Sequence, residues 1–191
     1  MKKLIALCAA ALTVTLLVAT LIGCQLWPAT FTNTLELTVQ KTSLEEASSI
    51  IGRTVPTPAY LPKGYKIQEV YIALCPEKLT RSTLILLLSD EEIERKLVTH
   101  TDRAGTRQCY EFQCKMEMTI RWFSEGGIPI RLPGKVKINE ITGFIVGGGI
   151  HNELWWNWYP NPGQPGMFEF VLSASKRIPK GEMLKVAESV Q

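Results

Sequence analysis

Histidine is scarce in this chain of 191 residues, which contains 2, and neither sign of charge dominates, since 21 Lys and Arg face 18 Asp and Glu. A net charge of +3 gives little attraction for phosphate and excludes a strongly basic nucleic-acid-binding protein. No repeat of about 20–50 residues is present, which excludes solenoids and propellers. With 46% hydrophobic and 20% charged residues, the composition also excludes disordered tails, collagen-like chains and multi-span membrane proteins.

Several catalytic motifs are missing as well. No Gly-x-Ser-x-Gly sequence accompanies His100 or His151, as a serine hydrolase of that class would require. Residues 173–176 have the Ser-x-x-Lys spacing of penicillin-binding enzymes, but the companion Ser-Asp-Asn and Lys-Thr-Gly motifs are absent. The glycines at 147–149 lack the Gly-Lys-Ser/Thr ending of a phosphate-binding loop. The sequence therefore predicts no enzymatic activity and no cofactor, with a cell-envelope hydrolase as an alternative.

The N-terminus has the layout of a secretory signal. Lys2 and Lys3 form a short basic segment, and residues 4–22 carry no charge. This apolar segment is longer than the roughly 7–15 residues of an ordinary signal and close to the roughly 20 that span a bilayer. Its length alone leaves a cleaved signal and an uncleaved transmembrane anchor open.

Residues 21–24 read Leu-Ile-Gly-Cys, which resembles the bacterial lipobox. The resemblance implies that Gly23 is the last residue removed and that Cys24, thioether-linked to diacylglycerol, begins the mature chain. We therefore expect an extracytoplasmic protein that is anchored to a bacterial membrane by a lipid on Cys24.

The remainder divides into two segments. Residues 24–42 contain regularly spaced threonines and few charges, which predicts a Thr-rich tether after the signal at 1–23, with a short strand at 35–39. Residues 43–191 are long enough for one domain of about 150 residues.

The predicted domain begins and ends with a helix. Ser43 and Glu46 form a capping box before an apolar helical face that ends at Gly52, and Pro179 begins a second amphipathic helix. Between the helices, strand-like runs cover residues 65–74, 83–88, 116–123, 135–139, 142–148, 153–159 and 167–174. This order predicts an α+β fold, with an antiparallel sheet of about six to eight strands flanked by an N-terminal and a C-terminal helix.

Three segments together resemble the domain-of-unknown-function 4367 family. They are Tyr-Leu-Pro-Lys-Gly-Tyr at 60–65, Leu-Trp-Trp at 154–156, and Ile-Pro-Lys-Gly-Glu-Met-Leu-Lys-Val-Ala-Glu-Ser-Val at 178–190. The resemblance covers nearly all of 43–191. It implies an extracytoplasmic bacterial domain held on a membrane by a lipid or one helix, and it brings no catalytic residues. Relative to that family, residues 89–115 look like an insertion.

Three cysteines remain for the exported domain, because Cys8 lies in the signal and Cys24 would carry the lipid. Cys109 and Cys114 are separated by four residues, which a hairpin end can bring to disulfide distance. A bridge that includes Cys75 and the absence of any bridge stay open. Zinc held by these thiols and the two histidines is disfavoured by the spacing, so we predict no metal.

The aromatic run near residue 155 is the candidate binding surface. In a strand, Trp155 and Tyr159 share one face with Asn157, whereas Leu154, Trp156 and Trp158 share the other. If no helix covers the first face, it suits a protein, glycan or lipid partner. We expect a non-enzymatic binding or sensing module with no nucleic-acid partner. The alternative is a carrier that holds an apolar ligand between the sheet and its helices.

Overall fold

The computed structural model describes residues 31–36, 39–74, 81–102, 105–124, 132–160 and 166–191. These residues form eleven strands and two helices: β1 (Phe31–Glu36), β2 (Gln40–Thr42), α1 (Leu44–Ile51), β3 (Lys66–Leu74), β4 (Arg81–Ser89), β5 (Arg95–Asp102), β6 (Gly105–Cys114), β7 (Met116–Phe123), β8 (Lys135–Ile138), β9 (Ile141–Gly147), β10 (His151–Trp158), β11 (Met167–Ser175) and α2 (Lys180–Glu188).

The strands form two antiparallel sheets. Eight strands follow the order β2-β3-β4-β7-β11-β10-β9-β8, and three others follow the order β1-β6-β5. The predicted antiparallel sheet of about six to eight strands is confirmed in the larger of the two. Two helices are present, but strands make up most of the described chain.

One face of the larger sheet holds the main hydrophobic core, and we call it the core face. Strand pairing places Leu84 opposite Ile120, Ile120 opposite Phe170, and Phe170 opposite Trp156. All four side chains are almost fully buried, and the rings of Trp156 and Phe170 stack with centroids 4.8 Å apart. The alternation of side chains along each strand therefore collects one apolar layer.

Both helices contribute to this core, through Ala47 of α1 and through Met183 and Val186 of α2. The Ser43 hydroxyl accepts a hydrogen bond of 3.1 Å from the Glu46 backbone N–H, as predicted. The Glu46 carboxylate instead accepts a bond of 2.7 Å from the Thr42 hydroxyl, so the predicted reciprocal capping box is only half formed.

The predicted tether at 24–42 needs a correction. Within it, β1 pairs with β6 along its whole length, and β2 pairs with β3 at the edge of the larger sheet. β1 and β2 therefore belong to the folded domain, because an extended threonine-rich segment can bond to an open strand edge. Gly23, Cys24 and the rest of 1–30 lie outside the described residues.

The predicted insertion at 89–115 begins and ends between two neighbouring strands. β4 and β7 are paired up to Leu88 and Met116, and the chain between them forms the β5–β6 hairpin of the smaller sheet. From this hairpin Phe112 packs in a second apolar cluster with Tyr71 and Leu87, on the side of the larger sheet opposite the core face. The excursion thus covers the β3–β4 part of that side.

Candidate functional site

The side of β7, β11, β10 and β9 opposite the core face is the candidate site, and we call it the open face. Strand register places Thr119 opposite Val171, Val171 opposite Trp155, and Trp155 opposite Phe144. We call these four residues the aromatic row, after Trp155 and Phe144. The row crosses the sheet perpendicular to its strands, and Val171 within it is only 6% exposed. In the described part of the chain both helices belong to the core on the other side.

Trp155 is held in place by its own strand. Its indole Nε1 donates a hydrogen bond of 2.9 Å to Oε2 of Glu153. The other carboxylate oxygen of Glu153 lies 3.1 Å from Nε2 of His151. Because both contacts join residues of one strand face, they restrict the plane of a half-buried indole ring before any ligand arrives.

An ion pair lies on the other side of the aromatic row. Arg121 Nη1 donates to Glu169 Oε1 at 2.6 Å, and the guanidinium lies 6.0 Å from the ring centroid of Trp155. The Arg121 side chain is 39% exposed, whereas that of Glu169 is 14% exposed. The row is therefore bordered by fixed charged groups along both of its long sides.

Asn157 follows Trp155 by two positions and shares its face. Its side-chain oxygen Oδ1 is buried and has no hydrogen-bond partner among the described residues. A buried acceptor without a donor among the described residues is costly to the fold.

His151 and Ser175 are the residues of this face that a hydrolase site would use. His151 bonds to Glu153 as a base bonds to its orienting carboxylate, and Ser175 is its cross-strand partner. Ser175 is fully buried, and its hydroxyl accepts a bond of 3.3 Å from the Arg177 N–H. Among the described residues, this arrangement supplies no nucleophile that a substrate can reach.

Trp155 and Tyr159 are the two aromatic residues predicted to share a binding face. Trp155 lies on the open face, as expected. Tyr159 follows the last residue of β10 and is 45% exposed, and it lines a cleft with Trp158 beside the end of α2. The alternation of a strand predicts side-chain direction only while the strand continues, and β10 ends at Trp158.

The predicted Cys109–Cys114 disulfide is wrong. Both thiols are free and buried, and both belong to the single strand β6. Five residues of extended chain place the two Cα atoms about 16 Å apart, far beyond disulfide reach. Burial raises the pKa of the Cys114 thiol, so this residue is an unreactive core group. Cys75 lies outside the described residues.

No family model, no curated protein and no solved structure matches the chain. Within the described ranges, no three His, Cys, Asp or Glu side chains could together hold a metal ion. No helix among the described residues is long and apolar enough to cross a membrane. The open face must therefore be interpreted from its own geometry.

Sequence reasoning missed most of the groups around Trp155. Arg121 and Glu169 belong to strands distant in sequence, and Phe144 comes from a third. Each of the three lies within a run that was predicted to be a strand, so the sequence indicated a strand at each position but not which strands are neighbours. The order of strands in the sheet, which brings them together, cannot be read from such alternation.

Proposed function

We propose that the chain is an extracytoplasmic bacterial lipoprotein whose domain binds a saccharide chain on the open face and catalyses no reaction. The lipobox resemblance at residues 21–24, after the uncharged segment 4–22, supports anchoring by a lipid on Cys24. This arrangement would present the domain at the outer side of a bacterial membrane.

We also propose an α+β fold in which the helices flank the sheet, similar to the domain-of-unknown-function 4367 family. The support is that α1 and α2 lie at the two ends of the domain sequence and that both contribute side chains to the core face. The segments 60–65, 154–156 and 178–190 support the family resemblance.

The single observation that carries the binding proposal is the aromatic row with its charged borders. A sugar ring has an apolar face of C–H groups and a rim of hydroxyl groups. The first suits the ring of Trp155, and the second suits the carboxylates of Glu153 and Glu169 and the guanidinium of Arg121.

The size of the face favours a saccharide over a folded protein. Four strands about 4.8 Å apart and about eight residues long make a surface of roughly 19 Å by 26 Å, or about 500 Å². A stable protein interface takes about 800 Å² from each partner. A lipid surface is disfavoured, because it would strip water from Glu153 and from the Arg121–Glu169 pair.

Paired alanine substitutions test the proposal. We expect the full-length protein, purified in nanodiscs, to sediment with insoluble peptidoglycan and to bind soluble chitohexaose with a change in tryptophan fluorescence. Trp155→Ala should abolish both signals, because it removes the centre of the row. Tyr159→Ala should retain them, since Tyr159 lies beyond the end of β10 and lines the cleft beside α2.

Two results with the variants would overturn this proposal. One is unchanged binding by Trp155→Ala, and the other is equal loss in both variants without unfolding. Failure of the intact protein to bind either saccharide would also contradict it. Circular dichroism spectra of the variants identify unfolding as a separate cause of lost binding.

A further inference from the structure

A cleft of about 550 Å³ lies at the end of α2, away from the aromatic row. It forms where β9 diverges from β10. Pairing between these strands stops at Gly143 and Trp156, although β10 continues to Trp158 and β9 begins at Ile141. The cleft therefore occupies a gap between the β8–β9 hairpin, the end of β10 and the last turn of α2.

The cleft is held open by bonds at its borders. Asn139, in the turn between β8 and β9, donates from Nδ2 to the Glu188 carbonyl oxygen at 2.9 Å. At the chain's end, Gln191 and Thr57 exchange two backbone hydrogen bonds of 3.2 Å each. These contacts fix the hairpin tip and the residues after α2 relative to each other, so the cleft is preformed.

The interior of the cleft is apolar. Ile138, Trp156 and Ala187 form its base and are each at most 3% exposed, and the partly exposed Ile141 and Val190 supply the accessible apolar surface. A volume of about 550 Å³ lies within the range of small-molecule sites. It equals the space of about eighteen waters at about 30 Å³ each, which is room for one acyl chain and too little for a folded segment.

The charge of the lining selects the head group. Its polar members are Asn139, Glu140 and Asn157, and no described lining residue carries a positive charge. The Glu140 side chain is 94% exposed at the mouth, and its Oε2 lies 3.7 Å from Lys137 Nζ, so this pair carries no net charge. A carboxylate or phosphate head would find no net positive charge there, whereas a neutral hydroxylated head would meet hydrogen-bonding groups.

We propose that this cleft binds a single-chain neutral amphiphile of the monoacylglycerol class, with its acyl chain between Trp158 and α2 and its head group at Asn139 and Glu140. Asn157 borders both this cleft and the open face, but lipid binding in the cleft does not depend on saccharide binding. Membrane attachment would keep such lipids close to the domain.

Photolabelling of the full-length protein in isolated membranes tests the site. The probe is a monoacylglycerol with a diazirine in its acyl chain, added after the membranes are prepared so that no lipid of the protein itself is labelled. We expect the label on peptides that contain residues 156–159 or 187–190, and we expect unlabelled monopalmitin to remove it. Palmitic acid should compete less well, because the mouth offers its carboxylate no net positive charge.

Three variants complete the test. Val190→Trp fills the cleft and Ile141→Glu places a charge in it, and both should lose the label while Trp155→Ala keeps it. Two cleft variants are used because either one alone could perturb folding, which circular dichroism would detect. Label confined to residues 1–30, or retained in both folded cleft variants, would overturn the proposal. Stronger competition by palmitic acid than by monopalmitin would overturn the assignment of a neutral head group.

Discussion

The surroundings of Gly134 leave no room for a side chain. It adopts a φ of 81°, and its carbonyl oxygen accepts a hydrogen bond of 2.8 Å from the Ile145 N–H. A Cβ added here would overlap the backbone carbonyl of Ile145, which cannot move without disturbing β9. The hairpin that borders the cleft therefore depends on a glycine at this position.

We expect Gly134→Ala to lower the free energy of unfolding by about 2 kcal/mol, from left-handed backbone strain and the overlap together. Gly149→Ala is the matched control, because its Cβ would meet nothing within 4 Å. Urea unfolding monitored by tryptophan fluorescence measures both variants. Equal midpoints for Gly134→Ala and Gly149→Ala would contradict the assigned constraint.

At the scale of elements, an ionic cluster restrains the two ends of the segment 89–115 between β4 and β7. Lys115 Nζ donates to Asp90 Oδ1 and to Glu91 Oε1, each at 2.9 Å. The hydrogen bond from Lys115 lowers the pKa of Asp90, and bonds to both carboxylates raise the pKa of Lys115. The cluster joins the first and last residues of the excursion, so it restrains the whole β5–β6 hairpin.

The lowered pKa predicts acid sensitivity with a definite sign. Asp90 stabilises the fold above its unfolded pKa of 3.8, and that contribution is lost as the pH falls through the lower folded pKa. We expect Asp90→Asn to be less stable than the parent at neutral pH and to lose less stability on acidification. Thermal unfolding between about pH 6 and pH 2 measures this difference.

Glu92→Gln serves as the control for Asp90→Asn, since Glu92 is exposed and belongs to the same segment. A matching acid profile in the two variants would refute the role of Asp90. Glu69 responds in the same direction as Asp90. Burial raises its pKa, but bonds from Lys41 and Tyr71 and the charge of Arg95 outweigh that effect. Asp90→Asn should therefore remove only part of the acid sensitivity.

Alternation and capping predicted the elements that enclose the main core. Seven predicted strand runs correspond to β3, β4 and β7–β11, and both predicted helices are present. Leu86 and Leu87 are buried on opposite sides of β4, as expected for a central strand. These elements were predictable because burial of one or both faces leaves a periodic pattern in the sequence.

The smaller sheet was not predictable in the same way. β5 is largely exposed, so it leaves little periodic pattern in the sequence. In β6, the burial of Phe112 results from its packing against Tyr71 and Leu87. Such contacts depend on the arrangement of strands in space. The same cause explains the false disulfide, because the turn expected between Cys109 and Cys114 is replaced by a continuous strand.

At the scale of the whole molecule, the larger sheet separates two surfaces of different chemistry. The core face receives the helices and, at one end, leaves the apolar cleft beside α2. The open face carries Trp155 between charged groups. The sequence predicted a face with Trp155, but the cleft arises where pairing of two strands ends, and alternation carries no information about that point.

Anchoring by a lipid on Cys24 is tested by the intact mass of the protein purified from its native membrane. We expect a chain that begins at Cys24 and carries added acyl mass, since the thiol after Gly23 is the predicted attachment point. Cys24→Ala should abolish both the cleavage and the acyl mass. Cys8→Ala should retain both, because Cys8 lies in the same uncharged segment but away from the lipobox residues. A full-length mass without lipid would refute the lipobox assignment. It would identify residues 4–22 as an uncleaved anchor, since their number is close to the roughly 20 residues that cross a bilayer.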